Sequence, residues 1–166
     1  MKRALIISGE GFEDLELFVP YFRLLEEGFK VDIASPMEKF KGKHGYEASS
    51  TISLDSVNPD DYDILVVPGG KAPASIRNDK RVTGIAKAFF DKDKPVASIC
   101  HGPQVLIKAG VMKGRKSTSY RSGGKELKEA GAKYEDREVV VDGNLITSRQ
   151  PSDLPAFMRE IMKKVG

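Results

Sequence analysis

The chain has 166 residues, 40 % of them hydrophobic and 31 % charged, which suits one globular domain and excludes a disordered or low-complexity chain. Its 27 basic residues against 24 acidic ones leave a net charge of +3, too small an excess to argue for a nucleic-acid partner. One cysteine permits no intramolecular disulfide and fits a reducing compartment; the apolar run before Gly9 is too short for a signal-peptide core or a membrane span, so a cytoplasmic location without a membrane partner is expected.

Ala4 to Ile7 reads as a buried strand. Asp14 to Glu27 reads as a helix with Leu15, Leu17, Phe18, Phe22, Leu24 and Leu25 on its apolar side, stopped by Gly28. Pro20 conflicts with a straight helix there, because it removes a backbone donor; the helix either bends or begins nearer Val19. Lys30 to Ala34 is a second strand. Residues 36–58 are polar and form an excursion with a small hairpin that includes the β-like run Ala48 to Ile52. Asp63 to Val67 is a strand ended by Pro68-Gly69-Gly70. Asn78 to Phe90 is a helix, capped by Asn78 or Asp79.

Pro95 to Ile99 is a further strand, and Gly102 to Ala109 a short helix with Pro103 in its first turn. Lys125 to Ala130 is helical. Glu138 to Val141 and Leu145 to Ser148 flank the turn Asp142-Gly143-Asn144. Ser152 to Val165 closes the chain as a helix, with Ser152 as its cap. Lys39, Lys41 and Lys43, and likewise Lys113, Arg115 and Lys116, read as solvated loops. Strands alternating with helices imply a mostly parallel sheet covered on both faces, with ligands beyond the carboxyl ends of the strands. Gly9, Gly69-Gly70 and Cys100 each follow a strand and are expected to converge there.

The chemistry is concentrated in Val96-Ala97-Ser98-Ile99-Cys100-His101-Gly102-Pro103. A buried strand ends in a cysteine and a helix starts at once, with small residues two before and two after it. This echoes the nucleophile elbow, a turn tight enough to expose an attacking side chain. A helix start also favours thiolate, so a thiol more acidic than the roughly 8.5 of a free one is expected. A structural cysteine in the core is the competing reading; the turn argues for the nucleophile. His101 is a general base or a cleft-lining donor. The amides of Gly70 and His101 are candidate oxyanion donors. One Cys and two His are too few for the usual metal sites. Glu13 and Glu16 share a helical face, and a carboxyl near Cys100 would share a proton with it.

With these residues in view the sequence resembles the PfpI family of intracellular proteases, in the superfamily that includes the Parkinson-associated deglycase and glyoxalase III enzymes. The resemblance runs nearly end to end, over Gly11-Phe12-Glu13-Asp14-Leu15-Glu16, Gly42-Lys43-His44-Gly45-Tyr46, Val67-Pro68-Gly69-Gly70, Ala97 to Pro103, Thr118-Ser119-Tyr120 and Val140 to Asn144. It implies a single PfpI-type (class I glutamine amidotransferase-like) domain over residues 1–166, with a flavodoxin-like α/β sandwich. It implies Cys100 as nucleophile, Glu16 as the carboxyl contacting it, oxyanion donors near Gly70 and His101, and a pocket lined by Glu13, Lys43, Tyr46 and Tyr120.

The resemblance also implies no cofactor, a homo-oligomer (dimer or hexamer), and small aldehyde, glycated or peptide substrates. One position departs from the family. The protease branch carries a Glu after the Gly-Gly turn that reaches the histidine of a neighbouring subunit and completes a triad, and here that position is Ala74. This weakens the peptidase reading and leaves cysteine-plus-carboxyl chemistry intact. A non-enzymatic class also fits the residues: a redox-sensing or chaperone-like stress protein acting through Cys100 oxidation.

Overall fold

The structure is a computed structural model describing residues 1–166. Eleven strands are β1 (Arg3–Ile7), β2 (Lys30–Ser35), β3 (Lys39–Lys41), β4 (Glu47–Ser49), β5 (Ile52–Ser53), β6 (Ile64–Val67), β7 (Val96–Ile99), β8 (Lys116–Ser117), β9 (Lys133–Tyr134), β10 (Val140–Asp142) and β11 (Leu145–Ser148). Six helices are α1 (Asp14–Glu26), α2 (Ala72–Ile76), α3 (Lys80–Asp91), α4 (Pro103–Lys108), α5 (Gly124–Glu129) and α6 (Leu154–Val165). The main sheet has seven strands in the order β10-β11-β7-β6-β1-β2-β5, all parallel except the β10–β11 hairpin.

The central strands are apolar throughout because both sheet faces are covered. Alternate side chains go to opposite cores. Ala4, Ile6, Ile64, Val66, Ala97 and Ile99 pack with Leu17 and Leu24 of α1 and Phe157 and Ile161 of α6. Leu5, Ile7, Leu65, Val67 and Val96 pack with Val82, Ile85 and Phe89 of α3 and Leu106 of α4. The expected parallel three-layer sandwich is present.

Several local expectations change. The run Ala48 to Ile52 divides: β4 pairs antiparallel with β3, and β5 adds in parallel to the edge of the main sheet at β2. Helix α2 and the small β8–β9 sheet had no sequence signal strong enough to mark them. Asp79 is the cap of α3, its carboxylate accepting from the Arg81 amide at 2.9 Å. Ser152 does not cap α6; it lies in a short 3-10 turn, and the helix begins after Asp153.

Helix α1 departs most. It runs through Pro20, starts with Glu13 as its cap, and buries Asp14, Glu16, Leu17, Pro20 and Leu24. Leu15, Phe22 and Leu25, assigned inward on hydrophobicity, are exposed. The inward face at its first turn is acidic because two carboxyls are held there by specific donors. No helix is long and apolar enough to cross a membrane.

Phe157 is fully buried between α6 and the sheet. Phe157→Ala should lower unfolding stability by about 3–5 kcal/mol, since the helix cannot collapse fully into the space left. Denaturant unfolding measures this, and a loss below about 1 kcal/mol would contradict the packing described.

Candidate active site

Three turns meet beyond the carboxyl ends of β1, β6 and β7, and backbone bonds tie them. The Glu13 amide donates to Gly69 O at 3.1 Å, and the Lys71 amide to Gly11 O at 2.8 Å. The β3–β4 loop joins them through the Lys43 amide, which donates to Phe12 O at 2.8 Å. Asp14 fixes the same loop, its two oxygens accepting from the amides of His44 and Tyr46 at 3.0 Å each.

Cys100 sits on the turn from β7 into α4 with φ +63°, a left-handed conformation that costs a non-glycine residue about 1–3 kcal/mol. Small neighbours make the turn possible. A Cβ on Gly102 would collide with the Ser98 hydroxyl and the Val67 carbonyl. A Cβ on Gly69 would lie 2.5 Å from the Cys100 Cβ and 2.7 Å from Glu16 Oε1. The elbow geometry expected from the sequence is therefore present. Exposure of the thiol is not: Cys100 is only 5 % exposed.

Glu16 is fully buried beside it. Its Oε1 accepts from the Gly69 amide at 2.9 Å, while Oε2 has no hydrogen-bond partner. The Cys100 side chain lies beside this carboxyl, both crowding Gly69. Burial, reinforced by the charge of Glu13, raises the Glu16 carboxyl to about 8, although the Gly69 amide pulls the other way. Burial first, and then the Glu16 charge, push the Cys100 thiol up to about 12; the nearby amides of Gly70 and His101 oppose this. The expectation of a thiol more acidic than a free one is thus corrected. Desolvation and an ionised neighbour outweigh the short helix behind it, and thiolate forms readily only while Glu16 keeps its proton.

His101 is half-buried, its ring 5.0 Å from that of Tyr120. Burial and the nearby Lys43 charge lower its pKa, so the imidazole is neutral at neutral pH. Its Nδ1 is buried without a partner, and Ala74, exposed at the rim, offers it none.

Cys100, His101, Gly70, Lys43 and Tyr120 line one open cleft of about 420 Å³, with Ala74 also on its wall. A larger groove of about 530 Å³ beside α6, flanked by Arg23, Met158 and Met162, holds no nucleophile, so size alone does not mark the site. Glu13 and Tyr46 lie outside the cleft. Glu13 is buried, with one oxygen 3.3 Å from His44 Nε2 and the other accepting from the Glu16 amide. The Tyr46 ring packs against Phe18 and is 69 % exposed.

Sequence reasoning left out three residues: His44, Lys71 and Gln104. Lys71 directly follows the Gly-Gly turn, a signal that was available; the Glu13–His44 contact spans two loops and was not. No group of three His, Cys, Asp or Glu side chains is arranged to hold a metal ion.

Because the Glu16 carboxyl is raised on folding, its contribution to stability is present below the ordinary 4.5 and is lost as pH climbs to about 8. Unfolding free energy should fall by a few kcal/mol between pH 5 and pH 8, and this slope should flatten in Glu16→Gln. Alkylation of Cys100 by iodoacetamide should follow two ionisations in the wild type, the first near pH 8, and a single one in Glu16→Gln. Identical pH profiles for both proteins would refute the shared proton.

The DJ-1/PfpI family profile matches residues 2–164. A protein named a deglycase in Thermococcus kodakarensis is 52 % identical over 162 residues, covering 97 % of this chain and 98 % of its own. The Pyrococcus furiosus protein named deglycase PfpI is 52 % identical over 163 residues, with the same coverage. Among solved structures, Drosophila melanogaster DJ-1beta superposes with a TM-score of 0.91 at 32 % identity, over 99 % of this chain and 90 % of that one. The chain belongs to the DJ-1/PfpI family.

Proposed function

We propose that the protein is a cofactor-free, cysteine-dependent enzyme in which Cys100 attacks a carbonyl carbon, with removal of carbonyl adducts from amino groups as its foremost reaction. The observation that carries this reading is the strained Cys100 turn with the buried Glu16 carboxyl beside it. As the sulfur bonds to carbon, the carbonyl π pair moves to oxygen, where the amides of Gly70 and His101 stabilise the charge. Glu16 keeps its own proton, so the neutral His101 is the group left to take the one released by the thiol. For a methylglyoxal adduct the balance needs only water. Sulfur takes the place of the leaving amine on the former aldehyde carbon, the hydrogen of that carbon moves to the neighbouring ketone carbon, which becomes the hydroxyl-bearing one, and water cleaves the resulting thioester to a carboxylate and the free Cys100 thiol.

The deglycase names of the two archaeal relatives favour this chemistry. A Bacillus subtilis relative, 44 % identical over 162 residues, carries a provisional cysteine-protease name. Peptide hydrolysis asks more of His101, which must protonate a poor amine leaving group and gains from a carboxylate that holds its ring. Within its own chain His101 has no carboxylate partner, and position 74, from which the family's protease branch reaches a neighbouring subunit's histidine, is alanine. Small-carbonyl chemistry is therefore the stronger reading.

Cys100→Ser should abolish release of amine from methylglyoxal-treated amino acids while leaving the fold unchanged by circular dichroism. Retained wild-type rates would refute the mechanism. Ala74→Glu should raise peptide hydrolysis, by about tenfold for each 1.4 kcal/mol of barrier removed, more than it raises adduct turnover. Strong wild-type peptidase activity with no gain from the added carboxylate would show that His101 is not the limiting group.

A further inference from the structure

Two lysines line the cleft, Lys43 from the β3–β4 loop and Lys71 from the turn after β6. Both residues are exposed. The carboxylates around them are engaged elsewhere. Glu13 faces His44, Asp14 holds the amides of His44 and Tyr46, Glu10 accepts from the Lys41 amide, and Glu126 pairs with Arg77. Lys43 and Lys71 are left without an acidic partner. Glu16, the remaining carboxyl near the sulfur, carries a proton near neutrality.

The rest of the wall is neutral: Gly70, Ala74, Gln104 and Tyr120. The field of Lys43 reaches inward, depressing both His101 and Glu16. The basic stretch Lys39, Lys41 and Lys43 thereby divides in two. Lys39 and Lys41 flank buried Phe40 on an exposed strand, and Lys43 alone of the three lines the cleft.

We propose that the cleft selects carbonyl substrates that bear an anionic group, a carboxylate or a phosphate, within a few bonds of the carbon attacked by Cys100. A 2-oxo acid, or an adduct on the amino group of a free amino acid, has this form. The proposal rests on the reading of Cys100 as the attacking group, but its test reads selectivity rather than turnover. Charge attraction of this kind is screened by salt, because both ammonium groups face solvent.

Iodoacetate and iodoacetamide provide the test. With either reagent the thiolate sulfur forms an S–C bond and iodide leaves, and the two differ chiefly in charge. The ratio of their rates therefore cancels the thiolate fraction. At low salt the ratio of iodoacetate to iodoacetamide should exceed that of free N-acetylcysteine by about threefold or more, and approach it in high salt. Lys43→Met and Lys71→Met should each lower the ratio, and the double variant should bring it to the free-thiol value. Protection against iodoacetamide distinguishes the two anion sources: glyoxylate tests carboxylate and glyceraldehyde 3-phosphate tests phosphate, each against neutral methylglyoxal.

A ratio at or below that of the free thiol, no response to the double substitution, better protection by methylglyoxal than by either anion, or failure of both reagents to reach Cys100 would each overturn the proposal. Charge preference without turnover of any carbonyl substrate would instead refute the proposed function and leave the selectivity standing.

Discussion

A carboxyl buried against a thiol is the constraint on which the rest of this structure turns. Glu16 and Cys100 are both removed from water, and neither ionises easily while the other is charged. The pair holds one negative charge at most near neutrality, and Glu16 keeps its proton there. A thiolate formed there keeps a donor beside it. This couples the proposed attacking group to a proton donor at its side.

The fold is arranged to hold that pair. The parallel sheet delivers three chain reversals to one edge, and the Gly69 turn passes so close to Cys100 and Glu16 that no side chain fits. Helix α1 turns its acidic first turn inward to bring Glu16 under the turn and Asp14 against the β3–β4 loop. The hydrophobic cost appears on the opposite side. Leu15, Phe22 and Leu25 face outward, and Phe18, Phe22 and Tyr46 form an aromatic cluster at the surface. Pro20 is tolerated within the helix; the carbonyl that its missing N–H leaves free is that of Glu16.

The sheet was legible because its strands are buried on both faces, and continuous runs such as Ile64 to Val67 have few other readings. The elbow was legible because Ser98, Cys100 and Gly102 have the spacing that a tight turn needs. The orientation of α1 was not, since periodicity counts apolar residues and cannot register donors that come from β6 and the β3–β4 loop, far away in sequence. The same limit hid the Glu13–His44 contact. The acidity of the thiol was misjudged for a related reason. The sequence shows a helix start behind the cysteine, whereas burial and a facing carboxyl emerge only from the packing of α1 onto the turn. Glu16 as the contacting carboxyl came from family resemblance rather than from pattern.

The central claim is that Glu16 holds a proton at neutral pH while ordinary surface carboxylates do not. Infrared spectroscopy reads this directly, because a protonated carboxyl has a C=O stretch separate from that of a carboxylate. The difference spectrum of wild type minus Glu16→Gln at pH 7 should contain one protonated-carboxyl band, and that band should fade as pH is raised through about 8. A carboxylate signal for Glu16 at pH 7, unchanged on further titration, would contradict the account.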